Sequence, residues 1–239
     1  MKKKLKWLIP ACLVTVLAVS FFIYAGIYYH ADGSAVKALA PNKTVSVTET
    51  DYGWYFDGPS EEDLLCFYPG AKVEETAYAP LLHRLAEQGV DVCLVKMPFR
   101  FAFFGVEKAE KILAGYDHPN KYVGGHSLGG AMAANYASKH AEELSGVILL
   151  ASYPTEDLDD GLILISIYGT EDGVLNTSRV KDGRRHAPER YTENVIEGGN
   201  HAQFGNYGEQ KGDGKALVSR EEQQEQTVNT ILQAIRGAD

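Results

Sequence analysis

The chain has 239 residues, 45% of them hydrophobic and 23% charged, and a formal net charge of -9 at pH 7. This balance excludes a disordered or fibrous chain and fits one globular domain with a short appendage. The excess of acid argues against a nucleic-acid binder, which needs a basic footprint.

The appendage comes first. "MKKKLKWLIPACLVTVLAVSFFIYAGIYYH", residues 1–30, sets Lys2, Lys3, Lys4 and Lys6 before a run without charge from Trp7 to Tyr29. About 20 apolar residues cross a bilayer, so the run reads as one N-terminal transmembrane helix. A cleaved signal peptide has a shorter apolar region that ends in small residues. Here the run closes on Phe21, Phe22, Tyr24, Tyr28 and Tyr29, which resemble an interfacial aromatic belt. The lysines should stay in the cytoplasm, which makes residues 1–30 a signal anchor and places the rest on the extracytoplasmic side. Secretion after cleavage is the alternative. Residues 31–43, "ADGSAVKALAPNK", read as a tether of small residues, and residues 44–239 as one domain.

The domain opens on a polar/apolar hairpin, "TVSVTET" and "GWYFDG", followed by the buried strand "DLLCFYPG". Helical spacing in "VEETAYAPLLHRLAEQG" leads to the strand "VDVCLVKMP", the helix "GVEKAEKILAGY" and the strand "KYVGGHS". Then come the helix "LGGAMAANYASKHAEEL", the strands "GVILLAS", "LILISIYG" and "RYTENVIEG", and a closing helix capped by Ser219 with Glu222 three residues on. Such alternation with nearly continuous apolar strands predicts an α/β fold: a mostly parallel central sheet with helices on both faces. Ligands then bind at the carboxyl ends of the strands. Cys66 and Cys93 fall inside apolar strands and read as buried free thiols. No cysteine or histidine cluster of metal-binding type appears, and no cofactor or metal is called for.

Gly125-His126-Ser127-Leu128-Gly129 lies where a strand becomes a helix rich in small residues. The pattern G-x-S-x-G is that of a nucleophile elbow, a strained turn that projects the serine and tolerates only small neighbours. A serine needs a base, and the base needs a partner that fixes its tautomer. Downstream, "IYGTEDGV" offers Asp172 and "EGGNHAQFG" offers His201, each just past a strand end, in the order Ser, Asp, His. His186 competes for the role of base, and Glu171 and Asp157 for that of acid.

With "FYPGAKVEETAY", "VKMPFRFAFFG", "GGHSLGGAMAANYA", "IYGTEDGV" and "EGGNHAQFGNYG", the chain from about Val45 to Arg236 resembles the α/β-hydrolase superfamily. Within it, the small lidless branch of the dienelactone-hydrolase and carboxylesterase type is most similar. The resemblance implies Ser127 as nucleophile, Asp172 as acid, His201 as base, and the backbone N–H groups of Leu128 and Ala71 as oxyanion donors. Many relatives carry His-Gly at the first turn, where this chain has Tyr68-Pro69-Gly70, which leaves Lys72 as the rival donor to Ala71. Only "YPTEDLDDG" separates two strands where relatives insert a lid, so the site should be open. Phe99, Arg100, Phe101 and Phe103 form a possible substrate pocket, an apolar wall with one cation. The expected activity is cleavage of a small-molecule or lipid-like carboxylic ester through an acyl-enzyme. An envelope acyltransferase with the same triad, or a binding module without catalysis, are the alternatives.

Overall fold

The computed structural model describes the backbone of residues 2–237 and the side chains of residue 10 and residues 12–237. The eight strands among the described residues are β1 (Ser46–Thr50), β2 (Gly53–Asp57), β3 (Asp63–Tyr68), β4 (Val90–Val95), β5 (Asn120–His126), β6 (Gly146–Leu150), β7 (Ile163–Gly169) and β8 (Arg190–Ile196). They form one sheet in the order β1-β2-β4-β3-β5-β6-β7-β8. The β1–β2 and β2–β4 pairs are antiparallel, and every other pair is parallel.

Parallel strands buried on both faces need a cover on each. On one face, α3 (Ala79–Glu87) and α7 (Arg220–Arg236) bring Leu81, Leu82, Leu85, Val228 and Ile231 against Leu65, Val92 and Ile165. On the other, α4 (Lys108–Leu113) and α5 (Leu128–Ala137) bring Ile112, Leu113, Ala133 and Ala134 against Leu64, Val123 and Leu149. Burying each Leu, Ile or Val contributes about 1.5–3 kcal/mol, so these two layers dominate stability. Ser219 caps α7 as expected, accepting the Glu222 N–H at 3.1 Å. Cys66 and Cys93 are buried, free, and register partners on adjacent strands.

The N-terminal region differs from its sequence reading. Helix α1 runs Lys2–Gly26. Among the described residues, no helix is long and apolar enough to cross a membrane, so the structure does not supply the span expected over residues 1–30. The side chains of the four lysines and of the start of the apolar run lie outside the described residues.

The segment 31–43 is docked rather than a free tether. Asp32 caps the short helix α2 (Gly33–Lys37), accepting from Ser34 N–H at 2.8 Å and Ala35 N–H at 3.1 Å. Asp32 also pairs with Arg220 at 3.1 Å, its N–H donates to the Asn206 carbonyl, and Ala35 is fully buried. Small residues suited this close approach as well as they would suit a linker. The sequence reading also passed over α6 (Thr177–Gly183), a polar helix capped by Asn176.

Packing is close where β3 and β5 end. A Cβ on Gly129 would stand 2.1 Å from the Tyr68 carbonyl oxygen and 2.4 Å from that of Pro69. Gly129→Ala should therefore cost about 1–3 kcal/mol or more. Gly33→Ala, which meets nothing within 4 Å, should cost much less. Urea midpoints of the two variants check this difference.

Candidate active site

Ser127 sits between β5 and α5 with φ 54° and ψ -123°, a backbone conformation costing about 1–3 kcal/mol for a residue with a Cβ. It persists because neighbours fix it. Its N–H donates to the Leu150 carbonyl at 2.9 Å, and its carbonyl accepts the Ser152 hydroxyl at 2.9 Å and the Ala131 N–H at 3.1 Å. The elbow expected from the glycine spacing is thus present in the backbone.

Asp172 follows β7 and His201 follows β8, and adjacent parallel strands bring the two together. His201 Nδ1 lies 2.8 Å from Asp172 Oδ2, and both side chains are buried. The other carboxylate oxygen accepts the N–H groups of Val174 at 2.9 Å and Leu175 at 2.7 Å. A carboxylate so placed accepts a hydrogen bond from Nδ1–H and so fixes the proton on that nitrogen, which leaves the Nε2 lone pair free to act as a base. Nε2 is buried without a hydrogen-bond partner. His201 lines a cavity of about 260 Å³ with Ser127, Leu128, Ala131, Tyr153 and Val174. Ser127 Oγ is not bonded to Nε2 in this structure, and bonds of this type commonly tighten only in the substrate complex.

The rival residues lie elsewhere. His186 pairs with Asp157 and lines a separate cavity of about 140 Å³. The Glu171 carboxylate accepts from the Thr170 hydroxyl at 3.2 Å. His126, beside Ser127, is buried with Nδ1 2.8 Å from the Tyr78 hydroxyl. Burial first, and the adjacent His201 second, hold its imidazole well below its ordinary range, so it stays neutral. Tyr78 also accepts the Gly70 N–H at 3.0 Å and thereby ties the elbow to the turn after β3.

At that turn the Lys72 N–H is committed to the Arg100 carbonyl at 2.9 Å. The Ala71 N–H has no partner among the described residues, which favours Ala71 over Lys72 as a donor. Leu128 opens α5, so its N–H lacks an intrahelical acceptor and lies at the positive end of the helix dipole. Leu128 lines the cavity with Ser127, and Ala71 does not.

The expected pocket of Phe99, Arg100, Phe101 and Phe103 is not part of this cavity, which is a correction. Phe101 is buried, Phe99 and Phe103 are 44% and 47% exposed, and their rings pack with α1 and with each other. The Arg100 guanidinium lies 3.4 Å from the centre of the Tyr28 ring. Tyr153, Val174 and Leu175 form the walls instead. These loops carry no pattern that marks them before the strands are placed.

Asp213 was also missed. Its Oδ1 accepts the N–H groups of Gly173 at 3.1 Å, His201 at 3.2 Å and Gly214 at 2.9 Å, and its Oδ2 that of Ala202 at 2.8 Å. One carboxylate thus joins the Asp172 loop to the His201 loop. Gln223 of α7 adds to this by bonding both the N–H and the carbonyl of Asn200. The available signal was "GDG", an acid flanked by glycines in a long loop, since such an Asp commonly gathers nearby amides.

Glu61, Asp91 and His118 could together offer three ligand atoms to a metal, all within 4.8 Å of one another. They lie where β3, β4 and β5 begin, at the opposite end of the sheet from Ser127. Asp91 already accepts from Tyr55 at 2.7 Å, Gly58 N–H at 2.7 Å and His118 at 3.0 Å, so its carboxylate is engaged in hydrogen bonds, while His118 Nδ1 is buried without a partner.

A profile of the alpha/beta hydrolase family matches residues 64–225, and the chain belongs to that family. Solved structures with the same fold include Est1E from Butyrivibrio proteoclasticus, 14% identical over 81% of this chain and 100% of that one, with a TM-score of 0.57. Alpha/beta hydrolase domain-containing protein 10 from mouse is 11% identical over 82% and 100%, with a TM-score of 0.57. A bacterial membrane phospholipase A is 13% identical over 84% and 92%, with a TM-score of 0.53. At these identities the likeness is one of fold. The comparison with curated protein sequences gave no match.

If Asp213 positions both loops, Asp213→Ala should lower kcat by about 100-fold, the loss that a misplacement of roughly 1 Å produces. Asp213→Asn, which keeps one acceptor oxygen, should recover part of it. KM for a small ester should change little, and steady-state kinetics on the three proteins checks the split.

Proposed function

We propose that the chain is a serine hydrolase that cleaves a carboxylic ester, or a related acyl bond, through Ser127, His201 and Asp172. The observation that carries this reading is His201: its Nδ1 is bonded to buried Asp172, its Nε2 has no hydrogen-bond partner, and the residue lines one cavity with Ser127. In the reaction, Nε2 takes the hydroxyl proton as Ser127 Oγ attacks the acyl carbonyl. The carbonyl π electrons move to oxygen, where the Leu128 N–H and that of Ala71 receive the charge. Collapse of this intermediate expels the alcohol, which leaves with the proton that His201 returns to it. Water, deprotonated by the same nitrogen, then releases the acid and restores Ser127. Asp172 stabilises the imidazolium formed in each half.

The cavity walls of Ala131, Val174 and Leu175 suit an apolar acyl chain. No helix lies between β6 and β7 among the described residues, which supports an open site without a lid.

We further propose that residues 1–30 anchor the protein in a membrane, with the hydrolase domain on the extracytoplasmic side. Four N-terminal lysines before an uncharged run support this, as does the exposure of Leu13, Val14, Val16, Leu17 and Val19 along α1.

Ser127→Ala should abolish turnover of a short acyl ester, a loss of at least about 10³-fold, and leave the fold intact. Ester-hydrolysis rates with circular dichroism as the folding control test this. Full activity in the variant would overturn the assignment.

A further inference from the structure

The aromatic residues after β4 do not line the site, and all but Phe101 are exposed. Phe99, Phe103 and Phe104 are 44–47% exposed and stand together, with ring centres 5.6 Å apart for Phe99 and Phe104 and 4.3 Å for Phe103 and Phe104. Exposed contiguous aromatics of this kind mark an interaction surface. What covers this one follows from its neighbours. The Phe21 ring of α1 meets Phe99 at 5.5 Å and Phe104 at 5.9 Å, and Phe22 meets Phe99 at 5.8 Å. Phe22 is itself exposed, as is the apolar surface that continues along α1 from Leu13 to Ile23.

Rings in contact share one depth. If α1 is embedded, as proposed above, then Phe99, Phe103 and Phe104 lie at the level of its last turns, where aromatic side chains concentrate at a bilayer surface. The junction is not a free hinge. Tyr29 N–H donates to the Lys72 carbonyl at 2.7 Å, and the Glu74 N–H donates back to the Tyr29 carbonyl at 2.9 Å. Lys72 Nζ stands 3.8 Å over the Tyr24 ring, and Arg100 stacks on Tyr28. Both cations therefore lie just beyond the aromatics, at the height of lipid headgroups. Beside them, an open depression of about 600 Å³ is lined by Phe103 and Phe104 together with Lys108, Lys111 and Lys139, and also Glu107 and Glu110.

We propose that Phe99, Phe103 and Phe104, with Phe21 and Phe22, form a shelf that sits in the surface of a lipid bilayer, so that the hydrolase draws its substrate, an acyl ester of a lipid, from that bilayer. This rests on the anchor and hydrolase readings above and adds an orientation to them. The loop that carries the shelf follows a strand carboxyl end, as Ser127 does. It is joined to the oxyanion turn through the Lys72–Arg100 hydrogen bond, so seating the shelf brings the catalytic edge of the sheet to the membrane.

The test uses the full chain in phosphatidylcholine vesicles whose acyl chains are brominated near the headgroup. In Trp54→Phe, Trp7 reports the anchor. In Trp7→Phe/Trp54→Phe/Phe103→Trp, the new indole reports the shelf. Seating about 5–10 Å into the boundary brings position 103 to the bromines, so its fluorescence should fall by about half. Quenching at both positions supports the proposal. Quenching at Trp7 alone overturns it and leaves the anchor reading standing, whether water or a second copy covers the shelf. Quenching at position 103 alone supports the shelf and overturns the anchor, and quenching at neither overturns both.

The substrate arm compares Phe103→Ser/Phe104→Ser with the parent chain. Hydrolysis of vesicle phospholipid should fall several-fold while that of a short soluble ester is unchanged. An equal fall in both, or none in either, would overturn the assignment of a bilayer substrate.

Discussion

The left-handed backbone of Ser127 is the constraint on which the site depends. A serine with φ 54° is unfavourable by itself and forms only because β5 ends and α5 begins within one residue. That geometry needs glycine on either side, since the Tyr68 carbonyl occupies the space where a Cβ of Gly125 or Gly129 would stand. The same turn gives the proposed nucleophile an outward position and the Leu128 N–H an acceptor-free one. The strain and the position of the proposed nucleophile therefore have one structural cause, the crowding of β3 against the β5–α5 turn.

The remaining parts of the site come to Ser127 through loops held by residues outside the proposed triad. Asp213 gathers amides from the Asp172 loop and the His201 loop, and Gln223 fixes Asn200 next to His201. The Gly70–Lys72 turn is held by Tyr78 on one side and by the Arg100 carbonyl on the other. The segment after α1 joins this framework at two further points, through Tyr29 at Lys72 and Glu74, and through Asp32 at Asn206 and Arg220. The chain that leads from α1 is thus continuous with the loops that carry the proposed site.

Much of this was legible in the sequence because it rests on local rules. All eight strands read from hydrophobic runs and turn residues are present, and Gly125-x-Ser127-x-Gly129 encodes the elbow directly. Asp172 and His201 were legible as residues past strand ends, and the β7–β8 pairing brings them together. What failed depended on tertiary packing. "ADGSAVKALAPNK" has the small residues of a linker, and nothing in its spacing shows that Ala35 is buried or that Asp32 meets Arg220, 188 residues away. The phenylalanines of "KMPFRFAFFG" have a pocket-like composition, but two consecutive left-handed residues, Phe99 and Arg100, turn the loop toward α1 instead. Asp213 lies in a loop without periodicity, so its role follows only from the amides around it.

The most direct measurement is the mass of the intact chain, in detergent, after exposure to a fluorophosphonate, followed by mapping of any modified peptide. This reagent phosphonylates a serine whose proton is taken by a neighbouring base, whatever the natural substrate. The account predicts one adduct per chain, located on Ser127. A folded chain that takes up no adduct, or takes it on another residue, would contradict an activated Ser127 and with it the proposed hydrolase.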